Sequence, residues 1–434
     1  MSQYRAYPAY KDSGVEWIGQ VPEHWKVARV KRLASLRNER RNDVSTDTIY
    51  IGLEDVEAGS GQYKPTNGSS RQSEDSTVGI FYEGDVLYGK LRPYLRKAII
   101  SEMAGCCSTE FLVLRAEKTE PRWLQEWLLT PDVTHQIVSG CEGAKMPRAD
   151  WGHIGSIEVV YPDQPEQAKI LTSLDRETAR IDALIEKKTR FIELLKEKRQ
   201  ALITHAVTKG LDPNVKMKDS GIEWIGQVPE HWEVKPFKYI LSAPMSYGAN
   251  ESAESDDPNH PRYIRITDLT ENGTLREDTF KTLPWDKAYS YLLSDGDILL
   301  ARSGATVGKS FLYRETNGAA CFAGYLIKAS CDEEKALPKY IYAYLQSHSY
   351  WEYISGSNIQ STIQNVSAEK YSSMVLPVPQ REEQATIVAT LDRETARIDA
   401  LISKAEQSIT LLKERRAAFI TAAVTGQIDL RGKQ

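Results

Sequence analysis

The sequence predicts an α+β protein written twice: two mixed domains of β-sheet and helices, separated by two long helices that pair along their length. Three observations carry that prediction. DSGVEWIGQVPEHW (Asp12–Trp25) returns as DSGIEWIGQVPEHW (Asp219–Trp232), with one Val/Ile difference. LDRETARIDALI (Leu174–Ile185) returns unchanged at Leu391–Ile402. The stretches between these repeats hold short apolar runs behind Gly-Asp turns, the pattern of strands. The period far exceeds the roughly 20–50 residues of a solenoid unit, so the reading is a duplicated domain pair. Packed against itself, such a pair approaches two-fold symmetry, because equivalent surfaces then meet.

In order, the segments are an aromatic lead segment (1–26), a mixed domain (27–162), a long helix (163–210), a second lead segment (211–233), a second mixed domain (234–379) and a second long helix (380–434). The lead segments carry Trp17, Trp25, Trp224 and Trp232, with His24 and His231 beside them. A histidine among tryptophans reads as a packed, hydrogen-bonded residue, so these segments are expected to clamp the start of each domain. In the mixed domains GDVLYGK (Gly84–Lys90) answers GDILLAR (Gly296–Arg302), and FLVLRA (Phe111–Ala116) answers YLIKA (Tyr325–Ala329). Amphipathic helices follow around Trp123–Leu129 and Tyr340–Gln346.

The long helices show heptad seams. Leu174, Thr178, Ile181, Ile185, Lys188, Ile192, Leu195, Arg199, Leu202 and Ala206 step by four and three, and Leu391 to Ala423 repeat the pattern. Lys188 and Arg199 interrupt the first seam, so it is not a pure zipper. The seam allows pairing within the chain, the plain reading, or with another chain. A perpendicular two-fold would make the pair antiparallel, which the seam alone does not decide. Gly210 and Gly426 stand where left-handed caps are expected.

With 26% charged and 41% hydrophobic residues the chain reads as soluble and globular. The start, MSQYRAYPAYKDSG, has no signal-peptide core. Five cysteines form no C-x-x-C pair and no zinc-ligand spacing, and read as inert thiols in a reducing cytoplasm. Net charge is −5, which argues against a uniformly basic DNA-binding domain but not against local basic patches.

One stretch imitates a nucleotide-binding loop. ARSGATVGKS (Ala301–Ser310) nearly spells G-x-x-x-x-G-K-[ST], but Ser303 stands where the first glycine belongs. Its counterpart in the first half is GKLRPYLRKA (Gly89–Ala98). There Lys90 answers Arg302 and Lys97 answers Lys309, while Arg92 and Arg96 replace Gly304 and Gly308. The first-half loop is expected to lack the positive φ that glycines permit, yet it keeps the basic positions. Constant cations among changing neighbours suit a nucleic-acid backbone, with the variable side chains reading bases. Ordinary solvated hairpins are the competing reading, and ATP binding by Gly304–Ser310 is a third.

Taken together, the W-x-G-x-x-P-x-x-W lead segments, the two basic loops, the P-x-x-x-E-Q turns PDQPEQ (Pro162–Gln167) and PQREEQ (Pro379–Gln384), and the helix LDRETARIDALI resemble the specificity subunit of type I restriction–modification systems. The likeness runs over essentially the whole chain, in order, twice. It implies two target-recognition domains, each reading one half of a split duplex DNA site, and an antiparallel coiled coil that sets the gap. It also implies docking of two methyltransferase subunits and of restriction subunits, which bring S-adenosylmethionine, ATP and Mg²⁺. This chain would then hold no cofactor or metal and catalyse nothing. No [ND]-P-P-[FY] tetrapeptide of an adenine methyltransferase occurs in it.

The candidate DNA contacts are Lys90, Arg92, Arg96 and Lys97 in the first domain, and Arg302, Ser303, Thr306 and Lys309 in the second. A second loop before each long helix adds Lys145 and Arg148, suited to guanine or phosphate, and Gln360, Gln364 and Asn365, suited to adenine. The basic run KRLASLRNERR (Lys31–Arg41) reads either as a phosphate-facing stripe or as the solvated face of a helix. A protein-binding coiled-coil scaffold is the remaining alternative.

Overall fold

The structure is a computed structural model that describes residues 5–45, 47–66, 76–141, 146–270, 273–358 and 365–432. It divides into two compact units, Met1–Lys188 with Gln407–Gln434, and Thr189–Glu406. Each unit holds one mixed domain and a portion of both long helices.

In the first unit the lead segment folds into a hairpin, Tyr10–Asp12 against Gln20–Pro22. The Asp12 carboxylate accepts the Gly14 amide at 2.9 Å, and Gly14 turns the chain with φ +76°. The domain then builds a four-stranded antiparallel sheet in the spatial order Ala34–Leu36, Phe111–Ala116, Val86–Gly89, Ala98–Ile100. Phe111 faces Gly89 and Val86 faces Ile100. A second sheet joins Arg40–Arg41, Val78–Phe81, Gly105–Cys107 and Tyr50–Ile51.

The Gly-Asp signal works through its carboxylate. Asp85 is buried and accepts the Tyr82 amide at 2.8 Å and Arg37 Nε at 2.8 Å, closing the turn from which the strand starts. In the other unit Asp297 does the same for the Ser294 amide at 2.8 Å. The helix Pro121–Leu129 opens on proline, whose missing N–H costs nothing at a first turn, and sends Trp123, Trp127 and Leu128 into the core beneath the first sheet.

The second unit repeats this order. The hairpin Met217–Asp219 with Gln227–Pro229 leads into a sheet ordered Ser246–Tyr247, Leu326–Ala329, Ile298–Ala301, Ser310–Leu312. The helix Pro338–Tyr344 buries Tyr340 and Tyr344 as its counterpart buries the two tryptophans.

Two long helices, Gln164–Lys209 and Arg381–Val424, pass through the units. In the first unit Leu174 shares a core with Phe419 and Ala423, and further along Asp182 meets Arg416 at 2.9 Å. Residue numbers rise on one helix as they fall on the other, so the pairing is antiparallel. In the second unit the repeat-equivalent residues, Arg199 and Asp399, meet at 3.3 Å. The arginines that interrupt the seam are therefore its cross-links. Partly exposed pairs of this kind contribute up to about 1 kcal/mol each, and here they fix register more than stability.

The P-x-x-x-E-Q turn ties three segments together. The buried Gln167 accepts Thr119 Oγ1 and the Glu120 amide, both at 3.0 Å, and donates to the Pro162 carbonyl at 3.0 Å. Gln384 accepts the Leu337 amide at 2.7 Å and donates to the Lys335 and Pro379 carbonyls. The neighbouring glutamates receive the lead-segment histidines: His24 Nε2 lies 2.7 Å from Glu166, and His231 Nε2 lies 2.8 Å from Glu383. The structural reading of both histidines holds. Gly210 (φ +74°) and Gly426 (φ +75°) end the helices as expected, and a Cβ on Gly426 would stand 2.4 Å from Pro22. That glycine lets the lead segment seat against the helix end.

Of the two readings of the basic run, the helix face fails. The run Lys31–Arg41 is not a helix: Val30–Arg32 is a single 3₁₀ turn, and Ala34–Leu36 and Arg40–Arg41 are strands. Arg37 turns back onto Asp85 and lies over the Tyr82 ring, 4.6 Å from its centroid. Among the described residues no helix is long and apolar enough to cross a membrane.

Candidate nucleic-acid interface

The two basic loops occupy the same place in their sheets. In the first domain the strand Val86–Gly89 runs out at Lys90, whose amide donates to the Glu110 carbonyl at 2.9 Å. Its own carbonyl accepts the Ala149 amide at 2.9 Å, and Leu91 bridges Arg148. In the second domain the Arg302 amide donates to the Tyr325 carbonyl at 3.1 Å, its carbonyl accepts the Val366 amide at 2.8 Å, and Ser303 bridges Asn365. Three backbone segments thus converge on one rim, twice. This pairs Lys90 with Arg302, Leu91 with Ser303, Glu110 with Tyr325 and Arg148 with Asn365.

Beyond that rim the loops keep a common backbone. Gly304 and Gly308 have φ of +73° and +86° around a 3₁₀ turn at Gly304–Thr306. In the first domain Arg92 and Arg96 have φ of +52° and +50° around a 3₁₀ turn at Pro93–Leu95. The expectation that the first loop lacks positive φ is wrong. The arginines adopt the left-handed conformation at the positions of the glycines, at about 1–2 kcal/mol of steric cost per residue. They are the only non-glycine residues with positive φ among the described ones. Two strained arginines bracketing Pro93–Leu95 hold the shape that glycines give freely in the other copy.

The side chains spread differently. Arg92 is exposed. Arg96 turns inward, with Nη1 3.4 Å from the Leu129 carbonyl, and lines a cleft of about 700 Å³ with Glu126, Asp182 and Lys413. Burial pushes the Glu126 carboxyl up, opposed by Arg122 and Arg416. Lys97 is half-buried and donates Nζ to the Leu53 carbonyl at 2.7 Å. Arg148 forms a two-pronged pair with Glu110, Nε to Oε2 at 3.2 Å and Nη2 to Oε1 at 3.1 Å.

In the second domain Arg302 lies over the Tyr247 ring, 4.8 Å from its centroid. Thr306 Oγ1 reaches back to the Ser303 carbonyl at 3.4 Å, and Lys309 is half-buried at the end of the turn. Lys90, Arg92 and Arg148 are thus brought together around one rim, and Arg302, Ser303 and Asn365 around the other, while Arg96 and Lys97 are directed elsewhere. Lys145, Gln360 and Gln364 lie outside the described residues.

Three residues at the rims carry no sequence signal of their own: Glu110, Tyr325 and Tyr247. Tyr325 is 63% exposed. The first two could have been found by extending the strand alignment one residue before FLVLRA and at the start of YLIKA.

The geometry is not that of a phosphate-binding loop of nucleotide hydrolases. Ile298–Ala301 and Ser310–Leu312 are the two antiparallel strands of a hairpin, and no helix opens after Lys309 to present its N-terminus to a phosphate.

Residues 229–411 match the family described as Type I restriction modification DNA specificity domain. The chain is 24% identical over 183 residues to the type I restriction enzyme EcoDI specificity subunit of Escherichia coli, a match covering 41% of each protein. It is 26% identical over 209 residues to the StySPI specificity subunit of Salmonella potsdam, covering 47% of this chain and 44% of that one. The chain thus spans less than half the length of these two relatives. With the MjaVIII specificity subunit of Methanocaldococcus jannaschii it shares 23% over 316 residues, 68% of each. Among solved structures, a chain from a study of complex assembly and conformational transition in the type I R-M system aligns with a TM-score of 0.72 at 17% identity, covering 95% of this chain and 99% of that one. The HsdS subunit from Thermoanaerobacter tengcongensis aligns with a TM-score of 0.52 at 18% identity, covering 94% and 98%. The duplicated order, the paired helices and the matched domain agree: residues 229–411 carry the likeness to a type I restriction modification DNA specificity domain, and the fold of the chain is that of the solved subunits it aligns with.

Proposed function

We propose that this chain is the DNA-reading subunit of a type I restriction–modification complex. Each domain reads one half of a bipartite duplex site. The lead segments and long helices dock methyltransferase subunits, and restriction subunits join that assembly. The observation that carries the reading is the twice-built rim: the same three backbone segments, the same left-handed turns, and different side chains. A module that reads two different half-sites needs one scaffold with two sets of side chains on it.

On this reading the chain catalyses nothing. S-adenosylmethionine, ATP and Mg²⁺ belong to the partner subunits, and the complex works in the cytoplasm. The match of residues 229–411 to a DNA specificity domain and the hairpin geometry of Ala301–Ser310 favour this over nucleotide hydrolysis or a purely protein-binding scaffold.

The test is co-expression with methyltransferase subunits, followed by detection of methylated bases genome-wide. A motif of two defined halves around an undefined gap is expected. A continuous motif, or none beyond that of the methyltransferase subunits alone, would refute the reading. Equilibrium dialysis of the chain with ATP is expected to show no binding.

A further inference from the structure

The rim of the first domain holds a pairing whose counterpart in the second domain is different. Arg148 Nε and Nη2 are both engaged by the Glu110 carboxylate, at 3.2 and 3.1 Å. A guanidinium has two edges that can grip a pair of acceptors, Nε with one Nη, and Nη1 with Nη2. Glu110 occupies the first edge, which leaves the second turned away from the carboxylate. Glu110 is itself anchored, because its carbonyl accepts the Lys90 amide at 2.9 Å and its own amide donates to the Ser108 hydroxyl at 3.2 Å. Arg148 is equally fixed at its backbone by the bridge to Leu91. The Arg148 side chain remains 56% exposed, so the free edge is open to a ligand.

We propose that Glu110 is a specificity-positioning residue that aims Arg148 at a guanine in one half-site; this rests on the DNA-reading function above. Charge and geometry agree. A carboxylate beside the guanidinium cancels much of its attraction for a phosphate, whereas the Nη1–Nη2 edge matches the paired O6 and N7 acceptors of guanine in the major groove. Held in a fork, the arginine also loses less rotamer freedom on binding. The second domain lacks the device: Tyr325 stands at the position of Glu110 and Asn365 at that of Arg148. The two half-sites should accordingly differ at the base pair under this rim.

The full chain is assembled with its methyltransferase subunits, and the methylated motif is determined for the wild type, Glu110→Ala, Glu110→Gln and Arg148→Lys. Arg148→Lys keeps the charge and removes the fork. Preference for guanine at one position of one half-site should fall roughly tenfold or more in Arg148→Lys and Glu110→Ala, and less in Glu110→Gln. The other half-site should stay as in the wild type. The salt dependence of DNA binding should not become shallower, since no phosphate contact is lost. A merely structural role for Glu110 would lower methylation at all sites and leave the motif intact. An unchanged motif in Arg148→Lys and Glu110→Ala, or a shallower salt slope without a base change, overturns the proposal. Absence of a bipartite motif in the wild type would instead count against the DNA-reading function itself.

Discussion

Replacing Gly308 and Gly304 in turn by alanine separates backbone strain from packing in the second-domain loop. Both glycines have positive φ, so alanine at either suffers the left-handed penalty of about 1–2 kcal/mol. Loss of glycine's freedom in the unfolded chain returns about 0.4–1 kcal/mol. At Gly304 that is the whole effect, because a Cβ there meets nothing within 4 Å. The expected cost of Gly304→Ala is about 1 kcal/mol. At Gly308 the same Cβ would stand 2.8 Å from Trp351 Cζ3 and 3.1 Å from Ile354 Cγ2. The Gly308 carbonyl is also pinned by Tyr350 Oη at 2.6 Å, so the loop cannot retreat without breaking a buried hydrogen bond. Overpacking adds about 1–3 kcal/mol. Gly308→Ala should therefore cost about 2–4 kcal/mol in urea unfolding followed by tryptophan fluorescence. Arg92→Gly, the reverse change at the exposed and strained position of the first loop, should be neutral or stabilising by up to about 1 kcal/mol. Equal costs for Gly304→Ala and Gly308→Ala would refute the packing argument. A loss of more than about 1 kcal/mol in Arg92→Gly would refute the claim that Arg92 stores strain.

Further expectations follow from the same contacts. Lys309→Ala should weaken binding to every DNA sequence and reduce the salt slope by about 0.9, whereas Lys97→Ala, whose ammonium is held by the Leu53 carbonyl, should change the slope far less; fluorescence anisotropy at several salt concentrations compares them. Gln167→Ala and Gln384→Ala each leave buried amides or carbonyls without partners and should cost about 2–3 kcal/mol of stability, measured as denaturation midpoints. Burial pushes the Cys107 and Cys321 thiols up to about 12, so at pH 8 they stay protonated and should react with iodoacetamide only after denaturation, as mass spectrometry of labelled peptides would show.

How much of this was legible depended on whether a residue's partner was dictated by the repeat itself. The lead segments and P-x-x-x-E-Q turns recur because they make the same contacts in both halves: His24 with Glu166 and His231 with Glu383, each beside a glutamine that staples a helix start. Periodicity likewise located the long helices, and their arginines turned from interruptions into cross-links once Asp182 and Asp399 were seen opposite them. The helical reading of Lys31–Arg41 failed because density of charge says nothing of period: Ala34–Leu36 and Arg40–Arg41 pair as strands. Glu110 and Arg148 stayed invisible as a pair because only the folded rim brings them into contact.

The loops show most sharply why chemical type and backbone shape must be read apart. Comparing Arg92 and Arg96 with Gly304 and Gly308 by residue type implied that only the basic positions persist. The dihedrals show that the turn persists as well, in one copy at a steric cost. Glycine would hold that turn with less strain in both. An arginine kept at Arg92 in its place, exposed at the rim beside Arg148, supplies a cation where the second domain supplies none at Gly304. Arg96 spends the same strain differently, reaching the Leu129 carbonyl and the side of the domain that faces the helices. A scaffold that tolerates strain to keep its shape while changing its side chains is suited to present different surfaces to two half-sites.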